Sequence, residues 1–323
     1  MEANARVNKI HLFWYQIRKG KGNFGDELGH YIVSKLSGLE VVHILIPSEG
    51  LDYIHRMIHG LYMRKFAIAQ IPTLLRQFFL TNMIASVGSI LSMTKGKKVM
   101  IWGSGIIQKD AQVDVGTVFA VRGKETQKRL RELGILCPSV FGNPAILLPK
   151  IYNPVIKKSY MYGIIPHFTH YDYFIKIATK QDPNLCVINL TQGIESVIDQ
   201  INRCEFTFTT SLHGLIVSHA YGIPSIWASI HGHDLYGDNI KFLDYFSSVE
   251  MDPYIPLVIP TEYINSELLL PFLTENKKQC EVDALPPSWH AMLPKLQENL
   301  LKNAPFPIKR EYMHTVIQTV QNP

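Results

Sequence analysis

The sequence predicts an α/β protein made of two halves, each a doubly wound parallel sheet, facing one another across a cleft, with a helical insertion in the first half and C-terminal helices after the second. Three observations predict this class. Short β-rich runs alternate with helical stretches over residues 9–133, the alternation restarts after Pro149, and turns bearing Gly, Ser and Pro stand where runs hand over to helices. At 323 residues the chain is about two domains long, taking roughly 150 residues for each. Pro149, Asn153 and Pro154 interrupt the periodicity near its middle. The expected halves are therefore residues 1–150, with the insertion at about 51–83, and residues 151–323.

Residues 9–15 (KIHLFWY) read as a buried opening strand, 20–25 as a glycine-rich turn and 28–36 as a helix. Runs at 41–46 (VVHILI), 84–90 (IASVGSI) and 98–102 (KVMIW) read as further strands, and 125–133 as a charged helix with apolar Leu130 and Leu133. In the second half, strands are expected at 162–166 (YGIIP), 185–190 (LCVINL), 206–210 (FTFTT) and 224–228 (PSIWA), with the clearest helices at 194–201 and 214–221. Past Pro260 the pattern turns polar and proline-punctuated, and helical stretches at 267–272 and 289–301 are expected to pack back across the halves. Residues 51–93 are rich in Ile, Leu, Phe and Met and carry Arg56, Arg64, Lys65 and Arg76 with few acids. Charges and Pro72 break the apolar runs too often for a spanning helix. The segment reads either as an inserted helical subdomain or as a surface lying on an anionic membrane.

Composition narrows the function classes. With 46% apolar and 18% charged residues the chain folds rather than staying disordered, and a formal charge of +5 favours anionic substrates or anionic lipid surfaces. Nucleic acid is not expected as a partner, because no interleaving of aromatic and basic residues and no helix-turn-helix or zinc-finger pattern occurs. Cys137, Cys186, Cys204 and Cys280 are widely spaced without a CxxC pair, so a reducing compartment fits. The opening MEANARVNKIHLF lacks a signal-peptide pattern, which makes the cytoplasm the expected location, with the inner face of the membrane open if the basic segment lies on lipid.

Ligands of open α/β sheets bind beyond the carboxyl ends of strands, so residues just after the runs are the site candidates. His213, in TTSLHGLIVSHAYGIP, follows a β-rich run and starts a helix; Ser211, Leu212 and Gly214 flank it, and the backbone N–H groups there suit a phosphate or carboxylate. It is either a proton-transfer group or a packed histidine, whereas His219 reads as packing. Arg122, in FAVRGKETQKRLRELG, stands at the equivalent edge of the first half, where its forked guanidinium either holds an anion or closes an ion pair. In GNFGDE, Asn23, Gly25 and Asp26 can bring backbone donors and a carboxylate to a ligand, with a helix cap as the plain alternative for Asp26. Gly103, Ser104 and Gly105 make another such turn after VMIW; His167 follows YGIIP, and Lys241 opens KFLDYF, each with a capping or surface alternative. Neither GxGxxG nor a Walker loop occurs, which weakens dehydrogenase and kinase readings. HGHD at 231–234 has no metal-ligand spacing, so no metal is expected.

Taken in order, NFGDELGHYIVSKLSG, SVGSIL, VMIWGSGI, FAVRGKETQKRLRELGI, FGNPAILLP, YGIIPHF, SLHGLIVSHAYGIPSIW and DNIKFLDYF resemble the polysaccharide pyruvyl transferase family across residues 23–246. The resemblance implies a glycosyltransferase-B-like pair of Rossmann-like domains, with phosphoenolpyruvate as donor substrate and no cofactor. It implies a pyruvate ketal on a sugar of an envelope, capsule or exopolysaccharide, the acceptor being free or lipid-linked. It puts Leu212 and His213 in the active centre and makes Arg122 a donor-anion contact, so that His213 and Arg122 are the catalytic candidates. Some relatives have Arg-Leu-His where this chain has Ser211, Leu212 and His213, and Lys241 is the expected replacement charge. Asn143 stands where aspartate is more usual and is read as structural. A nucleotide-sugar glycosyltransferase is the enzymatic alternative, because paired Rossmann-like domains host both activities. A noncatalytic sugar-binding or assembly subunit is a further one, and His213 and Arg122 argue against it.

Overall fold

The computed structural model of the chain describes residues 9–16, 23–178, 183–280 and 284–313. The glycines at positions 20 and 22 of the expected turn lie outside the described residues. The first half comprises β1 (Lys9–Phe13), α1 (Phe24–Ser37), β2 (Glu40–His43), α2 (Gly50–Tyr62), α3 (Ile71–Phe78), β3 (Met83–Ala85), β4 (Lys95–Trp102), β5 (Asp114–Ala120), α4 (Lys124–Glu132) and α5 (Leu148–Ile151). The second comprises β6 (Tyr160–Ile165), α6 (Ile175–Ala178), β7 (Leu185–Val187), α7 (Ile194–Asn202), β8 (Cys204–Thr209), α8 (Leu212–Ala220), β9 (Ser225–Ile230), α9 (Ile240–Ser248) and β10 (Leu257–Ile259). Three helices follow: α10 (Leu269–Cys280), α11 (Trp289–Lys302) and α12 (Arg310–Met313).

The strands form two five-stranded sheets, ordered β2-β1-β3-β4-β5 and β10-β9-β8-β6-β7, parallel throughout. Both halves thus have the same connectivity: the first strand is interior, with the second outside it at one edge and the third to fifth on its other side. Chain direction across each sheet reverses at one place, between β1 and β3 in the first half and between β6 and β8 in the second. Such switch points open a crevice for ligands. The Rossmann-like α/β class expected from the alternation is present in both halves.

Side-chain patterns explain the elements. In β8 (CEFTFT) the period of two sends Phe206 and Phe208 to one face and Thr207 and Thr209 to the other, and all four are buried. A strand covered on both faces is what a parallel sheet requires. Helix α8 (LHGLIVSHA) is apolar nearly all round and buried along its length except at half-buried His213, the signature of a helix enclosed by neighbours. Helix α1 begins at Phe24 because Phe24, Leu28, Ile32 and Leu36 form one buried stripe at intervals of four residues. It stops at Gly38, whose left-handed φ of 69° lets its N–H return to Ser34 O. The stripe's first member lies inside GNFG, so this segment is a helix N-terminus rather than a loop. Strand β10 carries no alternation to find, being three residues between Pro256 and Pro260.

The C-terminal helices do pack back. Trp102 Nε1 donates to Leu300 O of α11 at 3.0 Å, Gln297 Nε2 donates to Ile146 O at 2.7 Å, and Phe306 meets the Trp102 ring edge-on with centroids 5.0 Å apart. His219 is buried in α8 with Nδ1 2.8 Å from the Tyr245 hydroxyl, and burial pushes its pKa down to about 4, as befits a packed histidine. Among the described residues no helix is long and apolar enough to cross a membrane.

Candidate active site

A pocket of about 360 Å³ takes its lining from both halves, a size suited to a small-molecule ligand. The wall residues follow the carboxyl ends of strands. Tyr15 comes after β1, Asn23 and Asp26 start α1, and Ser89 and Ile90 come after β3; His167 follows β6, and Ser211, Leu212 and His213 follow β8. Lys241 stands in the first turn of α9. The two topological switch points, β1/β3 and β6/β8, therefore contribute to the same pocket.

Local structure sets each group. Ser211 is the N-cap of α8, its hydroxyl accepting from Gly214 N, and the first N–H groups of that helix have no partner within it. Thr210 Oγ1 accepts the backbone N–H of His167 at 2.7 Å, which ties the turn after β6 to the turn after β8. Trp227 of β9 stacks on Phe242 with centroids 4.1 Å apart and planes 12° apart, anchoring α9 and with it Lys241. On α1 the N-cap position belongs to Asn23, whose Nδ2 donates to Asp26 Oδ2 at 2.7 Å; Asp26 is a first-turn acid on the wall rather than the cap.

The imidazole of His213 packs against the backbone of Gly25: a Cβ on Gly25 would come within 2.2 Å of His213 Nδ1. Glycine at position 25 thus makes room for the histidine across the junction of the halves. His213 Nε2 is buried without a hydrogen-bond partner among the described residues. Burial, followed by the positive charges of Arg122 and Lys241, pushes its pKa down to about 3, so the ring is neutral near pH 7. His167 is likewise held at about 3, by burial first and then by Lys241. Burial and then Arg122 bring Lys241 down to about 8. Opposing them is one wall carboxylate, Asp26, which burial pushes up to about 6 despite the Asn23 hydrogen bond. With both imidazoles neutral, Lys241 and the first N–H groups of α8 are the wall's donors for an anion.

Arg122 lies behind this wall rather than on it. It is fully buried, its Nε donates to Asp244 Oδ2 at 2.8 Å, Nη1 to Ser89 Oγ at 2.5 Å and Nη2 to Ile106 O at 2.5 Å. Asp244 also accepts from Thr126 N at 2.8 Å and Thr126 Oγ1 at 2.6 Å. Gly123 lets this approach happen, since a Cβ there would run into the Asp244 carbonyl. The VRG segment and α9 are thereby clasped together, and Arg122 reaches the pocket through Ser89 and through its field. Gly103, Ser104 and Gly105 do not line the pocket either. Ser104 Oγ donates to Gly88 O, Gly103 makes space for Pro144, and Gly105 makes space for the Arg122 guanidinium. Gly214 packs on Thr209 and Ile165. Asn143 caps the turn beginning at Pro144, its Oδ1 accepting from Ala145 N, the structural place expected for it.

Asn23, Asp26, His167, Ser211, Leu212, His213 and Lys241 are thus brought together, while Asp244, Thr126 and Ser89 escaped sequence reasoning. The signal for Asp244 was one acid inside the apolar run KFLDYF, where a buried carboxylate needs a buried partner.

Two Rossmann-like sheets whose switch points share a pocket lined by Lys241 and the N-terminus of α8 define a small-molecule-binding α/β protein able to hold an anionic ligand. The chain belongs to the polysaccharide pyruvyl transferase family, whose family model matches residues 23–232. The match runs from the start of α1 past β9 and takes in most of the wall, though not Tyr15, Leu235, Tyr236 or Lys241. The chain is also similar to Uncharacterized protein L143 of Acanthamoeba polyphaga mimivirus, with 32% identity over 176 residues, which is 52% of this chain and 61% of that protein. It therefore spans less than two thirds of that relative's length. No solved structure matches the chain.

Proposed function

We propose that the chain transfers the pyruvyl group of phosphoenolpyruvate to two hydroxyls of one sugar, forming a ketal during envelope, capsule or exopolysaccharide synthesis. The halves act as a glycosyltransferase-B-like pair, the second holding the donor and the first the acceptor. The observation that carries this reading is Lys241, a wall cation without an ion-pair partner among the described residues, set in the same pocket as the N-terminus of α8. A ligand bearing both carboxylate and phosphate supplies the missing charge.

The balanced reaction places one hydroxyl proton on the donor's methylene carbon, generating a cationic C2 that the two sugar oxygens attack. The bond between C2 and the bridging phosphate oxygen breaks, and phosphate leaves with the second hydroxyl proton. His213, neutral in the free enzyme, takes the first hydroxyl's proton and delivers it to the methylene carbon, because the arriving anion offsets the charges of Lys241 and Arg122 and raises the imidazole pKa from its low unliganded value. Asp26 accepts a hydroxyl proton from the acceptor, a role suited to a carboxyl held at about 6. Lys241 and the first turn of α8 hold the donor's anionic groups.

The deciding assay follows phosphate release from phosphoenolpyruvate with galactosyl, glucosyl and mannosaminyl acceptors, and weighs the sugar product by mass spectrometry. Acceptor-dependent release with a gain of one pyruvate ketal is expected. Tight uridine-nucleotide binding with no release from any acceptor would sink the proposal.

In the same assay kcat/KM is expected to rise as pH passes about 6, when Asp26 ionises, and to fall past about 8, when Lys241 loses its proton. Asp26→Asn should abolish the acidic limb and Lys241→Met the basic one. A limb that survives its own substitution refutes that assignment.

A further inference from the structure

Helices α2 and α3 are fastened to the edge of the first sheet by a small core of Ile46, Tyr53 and Leu74. Their outer side departs from what a covered subdomain shows. Eight large apolar side chains within residues 51–79 face solvent, and Leu51, Tyr62, Ile68 and Phe79 are 84, 83, 81 and 77% exposed. On α2, Leu51, Ile54, Ile58 and Tyr62 recur at three- and four-residue intervals, a continuous stripe along the outward face, while Tyr53 and Gly60 occupy the buried one. Apolar residues concentrated this way mark an interaction surface, unlike ones scattered singly.

Charge selects the partner. The segment 51–80 has Arg56, Arg64, Lys65 and Arg76 against the single acid Asp52. Asp52 is already engaged by Arg56 at 2.7 Å and Lys95 at 3.2 Å. Arg64, Lys65 and Arg76 are exposed and in no ion pair among the described residues, with Arg76 next to Leu75 and three positions from Phe79. Apolar side chains flanked by free cations match the acyl boundary and the anionic headgroups of a bilayer. The face also adjoins the pocket: Arg56 Nη1 donates to the carbonyl of Met93, a residue of the pocket wall.

We propose that the outer face of α2 and α3 docks on an anionic lipid bilayer and holds the pocket beside its surface. Docking needs no pyruvyl transfer; the consequence that a lipid-borne acceptor enters past Met93 rests on the function proposed above.

The test is sedimentation of the full chain with vesicles of phosphatidylcholine alone or mixed with phosphatidylglycerol, at low and high salt, beside light scattering without lipid. The chain should sediment with the mixed vesicles, not with phosphatidylcholine alone, and should be released by salt. Arg64→Glu with Lys65→Glu should weaken this by roughly fivefold or more per residue, and Ile58→Asp with Tyr62→Asp should abolish it. Because these side chains are exposed, the variants should keep the wild-type melting temperature and wild-type activity on a soluble acceptor, which separates failure of docking from failure of the proposed chemistry. Equal sedimentation of wild type and variants, or none by wild type, overturns the proposal. So does a wild-type dimer that Ile58→Asp with Tyr62→Asp splits, which would assign the face to a second copy.

Discussion

His213→Ala should cut turnover by roughly 10²- to 10⁴-fold, the usual worth of a positioned acid–base group, and leave the fold in place. Nothing in the fold depends on its Nε2, which has no partner to strand. Stability should instead improve in acid. The folded-state pKa of about 3 lies below the ordinary 6.5, so the unfolded chain binds more protons between those values, and stability is lost as pH falls through that window. The variant escapes this share of the loss, while His167 and His219, held at about 3 and about 4, still contribute theirs. Gly25→Ala approaches the same group from the other half, because its Cβ would displace the ring at Nδ1. It should lower kcat more than it raises KM for phosphoenolpyruvate. Stopped assays of both variants with acid-unfolding curves check this, and a His213→Ala enzyme with near-normal kcat would remove the histidine from the chemistry.

The legibility of this site follows from the range of its interactions. Strand alternation, the stripe of α1 and the all-round apolar run of α8 are local, so the Rossmann-like class of both halves could be read from the residues, although β5 and β10 were not among the expected strands. His213, Ser211 and Lys241 were readable because their place after a strand or at a helix start is itself a sequence feature. What chain position leaves open is the direction a side chain takes. Arg122 and Lys241 both stand at strand-to-helix handovers or helix starts, yet Arg122 turns inward to Asp244, 122 residues away, and Lys241 turns to the pocket. Gly103 and Gly105 looked like a ligand-cradling turn, and their lack of side chains serves Pro144 and Arg122 instead. Each depends on a long-range partner that local periodicity does not name. The apolar and basic character of the segment holding α2 was legible, but which face met the protein required the packing of Tyr53 against Leu74.

The clasp between Arg122 and Asp244 makes the last prediction the largest for stability. Asp244→Asn is expected to lower the unfolding free energy by about 3–5 kcal/mol, because it leaves the Arg122 guanidinium charged and buried without a counter-ion. Replacing both partners should cost less than the single change, since no lone charge remains; Asparagine at 244 can still accept from Thr126. Urea unfolding of Asp244→Asn, Arg122→Met and the double variant measures the coupling, and strict additivity of the single effects would show that the pair is not a unit. The double variant also isolates the electrostatic role of Arg122. Its charge helps to depress Lys241, so in a folded double variant the basic limb of the kcat/KM profile should move to higher pH. A limb that stays near 8 would confine Arg122 to holding α9 in place, and the donor's anionic groups would then be the concern of Lys241 and the α8 N-terminus alone.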